Sequence, residues 1–322
     1  MPFFDELLSH DAIALFTHER PDGDAIGSQI GLGLYLRKLG KRVVLLGDDW
    51  PANLKWIGRH GYRSYVGSPE QKEKVAGCGA VVVLDTGEIK RTGDAAEVVE
   101  AFEGPRFLID HHPNPDEPAF HHAYHRESAS STGELVHELI TAHDPELIDA
   151  DIAKALYTAV MTDTGSFRFN SVTPAVHHIA ADLLKRGDMN PEPIHNAIFN
   201  NRSLGAVNLL GRALEGIELF FDGRVAYITV TQRMRDETGT GTQDIRGFVN
   251  YALSIQGVQA AVLFVELDGF VKLSFRSEGD LAINGWAQAL GGGGHRNAAG
   301  AYVQGRLKKI IQRVTIAGGE VF

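Results

Sequence analysis

The first half of the chain alternates short apolar runs with segments of helical periodicity. The apolar runs are AIALF, RVVLL, AVVVL and RFLI, and the clearest helical pattern between them is AIGSQIGLGLYLRKLG. Apolar runs of strand length with few polar residues are typical of parallel strands that are buried on both faces, and the helices between them supply the cover. The alternation therefore predicts an α/β domain with a parallel sheet in a three-layer arrangement.

The pattern changes from Gly216 onward. Two hairpin signals occur there, IELFF and RVAYITV around Asp-Gly, and AAVLFVE and FVKLSFRS around Leu-Asp-Gly, with the helical segment DIRGFVNYALSI between them. They predict a smaller C-terminal α/β domain with a mixed sheet. A length of 322 residues also exceeds the roughly 250 to 300 residues at which single cores stop growing. We therefore predict domains over 1–188 and 213–322, joined by a helical linker over 189–212.

Composition restricts the chemistry of the chain. Its single cysteine, Cys78, excludes an intrachain disulfide and a cysteine-based metal site, so metal ligands would be His and carboxylate. A net charge of -10 argues against wrapping a long nucleic acid but allows a short anionic ligand in a local pocket. No segment approaches the roughly 20 apolar residues of a membrane helix, and the N-terminus MPFFDELLSHD does not resemble a signal peptide. We expect a soluble, cytoplasmic protein without a membrane partner.

Histidine and aspartate residues follow three of the predicted strands. In an open α/β sheet, ligands bind beyond the carboxyl ends of the strands, so these side chains should meet at one edge. The strand-end residues are His18, Asp22, Asp24, Asp85, Asp110, His111 and His112. A helix over IAKALYTAVMTDTG would bring one further side chain, Asp163, to the same edge.

Several carboxylates at one partly buried edge repel one another, and each would take up a proton unless cations lie among them. Two divalent ions would compensate this charge, as in two-metal phosphoryl-transfer enzymes. Ligands that offer only nitrogen and oxygen suit Mn²⁺ or Mg²⁺. Taken singly, a strand-end Asp or His is more often a turn former or a helix cap, and Asp22 alone fits that description. The complete set favours a two-metal site.

The C-terminal domain contains a second candidate site at GGGGHRNAAG. Glycines let backbone N–H groups approach an anion, and His295 could donate a hydrogen bond to a phosphate oxygen. A flexible turn is the alternative, but the flanking segments INGWAQAL and AAGAYV have ordered patterns, which favours an anion-binding cradle. Arg276, at the end of a predicted hairpin strand, is either a second anion ligand or a solvent-facing strand residue.

Other polar residues have simpler explanations. Ser131 or Thr132, with Glu134, is expected to cap the helix over STGELVHELITAH, although the same helix N-terminus could meet a phosphate. Five histidines outside the strand-end pattern are expected at the surface or in helix packing, namely His121, His122, His125, His177 and His178.

Five motifs together resemble the DHH phosphoesterase superfamily in order and spacing. They are HERPDGDAIGS, VVVLDTG, IDHHPN, TDTGSF and GGGGHRNAAG, and they cover nearly the whole chain. The glycine-rich motif is similar to the C-terminal domain shared by RecJ-like exonucleases and the smaller NrnA-like oligoribonucleases, and the NrnA-like branch is the best match. One departure is Glu19-Arg20 after the first histidine, which leaves the ligand set intact.

The resemblance implies a role for each candidate residue. His18, Asp22 and Asp85 would hold one metal, and Asp24, Asp85, His111 and Asp163 the second, with Asp85 bridging. His112 would face the scissile phosphate, and Asp110 would orient a neighbouring group. The family usually works with manganese, with magnesium as the alternative. The substrate-binding residues of the second domain would be Arg276, Ser277, Gly293, Gly294, His295 and Arg296.

These patterns and the resemblance predict a metal-dependent phosphoesterase that releases nucleoside monophosphates from short RNA or DNA oligonucleotides and linear dinucleotides. Small phosphorylated nucleotides such as 3′,5′-bisphosphates are further candidate substrates, and the active site is expected in a cleft between the two domains. A homodimer is left open. Three alternatives remain: a RecJ-like exonuclease, which would be longer, a pyrophosphatase, which would lack the glycine-histidine motif, and a non-catalytic nucleotide sensor.

Overall fold

The computed structural model describes residues 1–58, 60–319 and 321–322. The chain forms two compact units, Met1–Asn201 and Arg202–Phe322. Within the described residues, none of the helices combines the length and the apolar character that a membrane span requires.

The first unit contains a six-stranded sheet in the order β3-β2-β1-β4-β5-β6, and every neighbouring pair is parallel. This agrees with the predicted parallel sheet. The strands are β1 (Ala12–Phe16), β2 (Arg42–Gly47), β3 (Arg63–Ser64), β4 (Ala80–Leu84), β5 (Arg106–Asp110) and β6 (His122–His125).

Helices cover both faces of this sheet. Side chains of β1, β4 and β5 alternate between a larger core, shared with α1, α2, α5, α6, α7 and α8, and a smaller core, shared with α3 and α4. The apolar runs are therefore buried on both sides, which is why they show little polar alternation. The helices are α1 (Pro2–Leu8), α2 (Gly23–Lys38), α3 (Pro69–Ala76), α4 (Ala96–Glu100), α5 (Thr132–His143), α6 (Ala150–Asp163), α7 (Pro174–Gly187) and α8 (Pro191–Phe199).

The second unit contains a mixed six-stranded sheet in the order β11-β12-β10-β9-β8-β7. Both predicted hairpins are present as antiparallel pairs, β7 with β8 and β9 with β10, while β8 and β9 run parallel. The strands are β7 (Glu218–Phe220), β8 (Val225–Val230), β9 (Ala260–Glu266), β10 (Phe270–Ser277), β11 (Gly293–His295) and β12 (Ala298–Gln304). The helices are α9 (Leu204–Glu215), α10 (Gln232–Thr238), α11 (Phe248–Leu253), α12 (Asn284–Gln288) and α13 (Leu307–Gly318).

The glycine run of the second unit is ordered β-structure. β11 pairs with β12 in the register Gly293 with Gly300 and His295 with Ala298, so two residues form the hairpin turn. A Cβ on Gly292 would lie 2.0 Å from the carbonyl oxygen of Gly300, so the two backbones approach too closely for any side chain at that position. Gly294 has φ 137°, which also favours glycine.

Candidate metal centre

The candidate metal centre lies beyond the carboxyl ends of β1, β4 and β5. The chain leaves β1 for β2 on one side and reaches β4 on the other side of β1, so the strand order reverses between β1 and β4. Open α/β sheets form a ligand-binding crevice at such a reversal. His18 follows β1, Asp85 follows β4, and Asp110 ends β5, directly before His111 and His112.

The first cluster consists of His18, Asp22 and Asp85, whose potential ligand atoms lie within 4.8 Å of one another. The Nδ1 of His18 lies 2.8 Å from the carbonyl oxygen of Glu19. Because a carbonyl only accepts, Nδ1 carries the proton, and the Nε2 of the neutral ring is left with the lone pair that a metal needs. This Nε2 is 3.4 Å from Oδ2 of Asp85. Asp22 also caps α2 by accepting two backbone N–H groups, so it has the capping role expected of it singly as well as a place in the cluster.

The second cluster consists of Asp24, His111 and Asp163, again with ligand atoms within 4.8 Å of one another. The Nε2 of His111 is 3.4 Å from Asp163 and 3.7 Å from both Asp24 and Asp85. The Nδ1 of His111 donates to the carbonyl of Ala129 at 3.2 Å, which again directs Nε2 to the carboxylates. Asp163 is the last residue of α6, so the returning helix reaches the sheet edge as predicted.

Asp24 is held by the N-terminus of α5. Its carboxylate accepts the backbone N–H groups of Thr132 at 2.7 Å and Gly133 at 2.9 Å, and the hydroxyl of Ser28 at 3.0 Å. The Thr132 hydroxyl donates to Oδ1 of Asp85 at 2.9 Å, so one residue fixes a carboxylate from each cluster. A helix N-terminus favours an anion, and here that anion is an aspartate of the protein.

The first turn of α5 is itself fixed by hydrogen bonds. Ser131 caps the helix by accepting the N–H of Glu134 at 3.1 Å, as predicted. The Glu134 carboxylate accepts the N–H of Ser130 at 2.7 Å and binds Arg126 at 3.1 Å. The capping motif predicts where this helix starts, but its contact with Asp24 depends on residues more than 100 positions apart, and no local sequence signal reports it.

His112 and Asp110 form a pair beside the two clusters. The Nδ1 of His112 lies 2.8 Å from Oδ1 of Asp110, which is completely buried. His125, at the end of β6, lies with its Nε2 2.7 Å from the carbonyl oxygen of His112 and donates to it. The expectation that His125 belongs to the surface or to helix packing therefore has to be corrected, since it supports the backbone of this pair.

Burial and mutual repulsion perturb the two most enclosed carboxyl groups. Burial raises the pKa of Asp85 well above its ordinary value, and the nearby charges of Asp24, Asp22, Asp163 and Asp110 raise it further. Burial also raises the pKa of Asp24, although His111 and the α5 backbone oppose that shift.

Two other groups shift because of their neighbours. Burial alone would lower the pKa of His111, but the carboxylates of Asp163 and Asp24 outweigh it and raise that pKa. Burial alone would raise the pKa of Asp110, yet the hydrogen bond and charge of His112 hold that pKa below its ordinary value. A site that favours neutral carboxyl groups and a charged histidine has excess negative charge, which divalent cations would compensate.

Three of the predicted substrate-binding residues share one face of the second sheet. Arg276 pairs with Ala298 across β10 and β12, and Ala298 pairs with His295 across β11, so these side chains lie in one row. Gly293 lies one row further along, on the same face.

The other three point elsewhere. Ser277 and Gly294 alternate with Arg276 and His295 and so belong to the opposite face. The Ser277 hydroxyl donates to the carbonyl of Leu281 at 2.6 Å, which is a contact within the unit. Arg296 lies in the hairpin turn and donates to the carbonyl of Asp280.

Comparisons with known proteins agree with this architecture. Residues 12–160 match the family model described as "DHH family, N-terminal domain", and residues 222–316 match the DHHA1 domain. The bifunctional oligoribonuclease and PAP phosphatase NrnA of Thermus thermophilus is 33% identical over 304 residues, which cover 94% of this chain and 87% of the relative.

Two solved structures extend the comparison. An exopolyphosphatase-related protein from Bacteroides fragilis superposes with a TM-score of 0.93 and 29% identity, covering 99% of this chain and 96% of its own. The exonuclease RecJ bound to manganese has a TM-score of 0.52 at 13% identity, covering 100% of this chain and 95% of its own, which is a likeness of fold.

Proposed function

Because the chain belongs to the DHH family and continues into a DHHA1 domain, we propose that it is a metal-dependent phosphoesterase of short nucleic acids. It hydrolyses short oligonucleotides and linear dinucleotides to nucleoside monophosphates, and it also removes a phosphate from 3′,5′-bisphosphate nucleotides. The observation that carries the proposal is the pair of His/Asp clusters at the β1–β4 reversal. A sensor that had lost catalysis would have no reason to keep buried, mutually repelling carboxylates.

Two divalent cations fit these clusters. His18, Asp22 and Asp85 would hold one ion, and Asp24, His111 and Asp163 the other, with Asp85 able to contact both because it lies beside His18 and His111. Manganese is the favoured ion and magnesium the alternative, since every donor is nitrogen or oxygen. The RecJ structure of the same fold holds manganese. When bound, such ions neutralise a phosphoryl group and lower the pKa of water.

His112 and Asp110 act on the substrate rather than on the ions. Asp110 accepts the Nδ1–H of His112 and fixes the orientation of the ring, so Nε2 is the ring atom left to contact a phosphoryl oxygen. Arg276 and His295 bind a further phosphate of the substrate from one row of the second sheet. A cytoplasmic location belongs to the same proposal, and a homodimer remains a prediction that light scattering would test.

The test is hydrolysis of a length series by the full chain with Mn²⁺. RNAs of two to twenty nucleotides, a 3′,5′-bisphosphate nucleotide and pyrophosphate are compared as substrates. We expect kcat/KM to peak at two to five nucleotides and to fall at least roughly tenfold by twenty, because a chain of net charge -10 gains little counterion release from extra phosphates.

Asp85→Asn serves as the matched control, since it keeps the shape of the side chain and removes its charge. It should abolish turnover of every substrate. Faster cleavage of pyrophosphate than of RNA would replace the proposal with a pyrophosphatase, and equal efficiency on twenty nucleotides would favour a processive exonuclease.

A further inference from the structure

One face of the second sheet has a helical layer over only part of its width. On this face, Ala261, Leu263 and Val265 of β9 pack in a core with α9 and α11. Among the described residues, β10 and β12 contribute nothing to that core. Their buried side chains, such as Leu273 and Ala301, belong to the core on the other face, with α12 and α13.

The alternate residues of β10 and β12 therefore lie beside the helical layer. We call them the β10–β12 face. Four rows cross it, and the first contains the proposed phosphate ligands. In order along the strands, the rows are Arg276 with Ala298, Ser274 with Gly300, Lys272 with Tyr302, and Phe270 with Gln304.

The second row provides a flat floor. A Cβ on Gly300 would meet only the carbonyl of Leu273, at 3.1 Å, and one on Gly293, which continues this row on β11, would meet nothing within 4 Å. Ser274 is the third small residue of the row. A planar or sugar group can therefore lie against the backbone between the first row and the third.

The third and fourth rows present aromatic rings and a cation. Tyr302 is 50% exposed and Phe270 is 44% exposed. The ammonium of Lys272 lies 5.8 Å from the centroid of the Tyr302 ring. Proteins that bind single-stranded nucleic acids use exposed aromatic rings beside basic side chains, because every base has a π-face and every nucleotide has a phosphate. Lys272 and Arg276 lie on the same strand, two rows apart, and in a chain of net charge -10 they form a local cationic stripe.

We propose that the β10–β12 face binds the nucleotides of an oligonucleotide that lie beyond the phosphate held at Arg276. Tyr302 stacks on a base, and Lys272 pairs with the adjoining phosphate. This inference rests on the proposed function. Lys272 is four residues from Arg276 along β10, about 13 Å at 3.3 Å per residue. A nucleoside bisphosphate at Arg276 does not span that length, so the face distinguishes oligonucleotides from mononucleotide substrates.

The experiment uses the full chain in two assays. Binding of a fluorescent five-nucleotide RNA is measured by anisotropy in EDTA, and hydrolysis of the same RNA and of a 3′,5′-bisphosphate nucleotide is measured with Mn²⁺. The variants are Tyr302→Ala, Tyr302→Phe and Lys272→Gln. Lys308→Gln is the matched control, since Lys308 is exposed on α13, which packs against the opposite face.

Tyr302→Ala should raise the Kd of the RNA at least about fivefold, and Tyr302→Phe should retain wild-type affinity because it keeps the ring. Lys272→Gln should weaken binding and reduce the salt dependence of log K by about 0.7, the loss of one phosphate contact. Neither Tyr302→Ala nor Lys272→Gln should alter KM for the bisphosphate. Lys308→Gln should alter neither the Kd of the RNA nor the hydrolysis of either substrate.

The outcomes separate this inference from the function on which it rests. If the wild-type chain hydrolyses neither substrate, the proposed function fails. If it hydrolyses both and Tyr302→Ala affects them equally, or affects neither, the stacking face is wrong while the function stands. A change of oligomeric state in Tyr302→Ala with unaltered RNA binding would assign the face to a second copy of the chain and overturn the inference.

Discussion

Asp85 has a backbone conformation that few residues adopt. Its φ is 63°, in the left-handed region, directly after β4. Aspartate and asparagine tolerate this region better than other non-glycine residues, and such conformations persist where the surroundings fix them. Here the N–H of Asp85 donates to the carbonyl of Ile109 at 3.0 Å, and its carboxylate accepts from Thr132 at 2.9 Å. Asparagine is therefore the substitution that removes the charge with the least effect on the backbone.

Thr132 is the residue whose role is most open to a direct test. Thr132→Val removes the hydroxyl that orients Asp85 but keeps the backbone N–H that binds Asp24. We expect a loss of about 10- to 100-fold in Mn²⁺ affinity or kcat, the usual effect of removing a group that orients a metal ligand. Titration calorimetry and steady-state kinetics measure the two quantities.

Thr132→Ser is the control for that substitution, because it restores the hydroxyl with a smaller side chain. Recovery of most of the lost affinity is expected. Equal losses in Thr132→Val and Thr132→Ser would show that the methyl group and its packing matter, and not the hydrogen bond to Asp85.

The adjacent histidines His111 and His112 should respond differently to truncation. His111 directs Nε2 at Asp24, Asp85 and Asp163, whereas the Nδ1 of His112 is bound to Asp110. His111→Ala should therefore lower the manganese stoichiometry from two to one. His112→Ala should keep two ions and lose turnover by at least about 100-fold, the usual share of a positioned proton donor. Metal analysis after gel filtration would reveal the reverse pattern if the roles were exchanged.

Some contacts of the candidate metal centre can be predicted from the sequence, and others cannot because they depend on tertiary packing. His18, Asp85 and the Asp110–His112 triplet could be placed together because parallel strands deliver their ends to one edge. The contact of Thr132 with Asp85 could not, since it depends on how α5 packs on the sheet. His125 was missed because its donor role depends on β6 pairing with β5, which follows no strong strand signal.

The helices α2 and α6 pack unusually closely, and glycine is the cause. A Cβ on Gly27 would lie 2.4 Å from the carbonyl oxygen of Ala155, and one on Gly31 would lie 2.6 Å from the side chain of Leu156. The close approach brings Asp24, in the first turn of α2, and Asp163, at the end of α6, to the same cluster. These glycines are therefore part of the construction of the metal centre.

Gly27→Ala should destabilise the first unit by about 1 to 3 kcal/mol, because the added methyl meets a backbone atom that cannot rotate away. Calorimetry measures the shift of that unit's transition.

Gly211→Ala is the matched control. Gly211 is in the middle of α9 and a Cβ there meets nothing within 4 Å, so the substitution should stabilise the second unit by about 0.5 to 1 kcal/mol through lower chain entropy. Stabilisation by both substitutions would contradict the packing argument.

Element boundaries near proline show a second limit of sequence patterns. The segment DMNPEP contains two prolines in three residues and suggests a linker or the entry to one. In the structure, Asn190 caps α8 and Pro191 occupies its first turn, where the missing N–H of proline costs nothing. Whether proline starts a helix or interrupts one depends on the preceding cap, and the local pattern is compatible with both.

The candidate metal centre concentrates negative charge within the first unit. The first unit places five aspartates and three histidines of the candidate centre around one crevice, namely Asp22, Asp24, Asp85, Asp110, Asp163, His18, His111 and His112. Folding without cations therefore works against electrostatic repulsion, which the hydrophobic cores of the unit have to outweigh.

Rising pH should consequently lower the stability of the metal-free first unit, whereas manganese should raise it. Without metal, the raised pKa of Asp85 means that the folded state favours the neutral carboxyl. Its contribution to stability is complete below the unfolded pKa of about 3.9 and is lost as the pH rises through the folded value. Wild type should lose stability relative to Asp85→Asn over that range in EDTA, measured as the difference in unfolding free energy at each pH.

Manganese reverses this dependence, because binding requires the ionised carboxylate and competes with its proton. At a manganese concentration 100 times its Kd at pH 8, each bound ion should stabilise the wild-type unit by about 2.7 kcal/mol. At that same concentration the gain should be smaller at pH 5, because proton competition raises the apparent Kd. Asp85→Asn should gain less at every pH because it has lost the ligand nearest both clusters. A manganese effect that is independent of pH, or equal in the two proteins, would mean that the ions bind without displacing the proton of Asp85, and the assignment of that carboxylate to the metals would then fail.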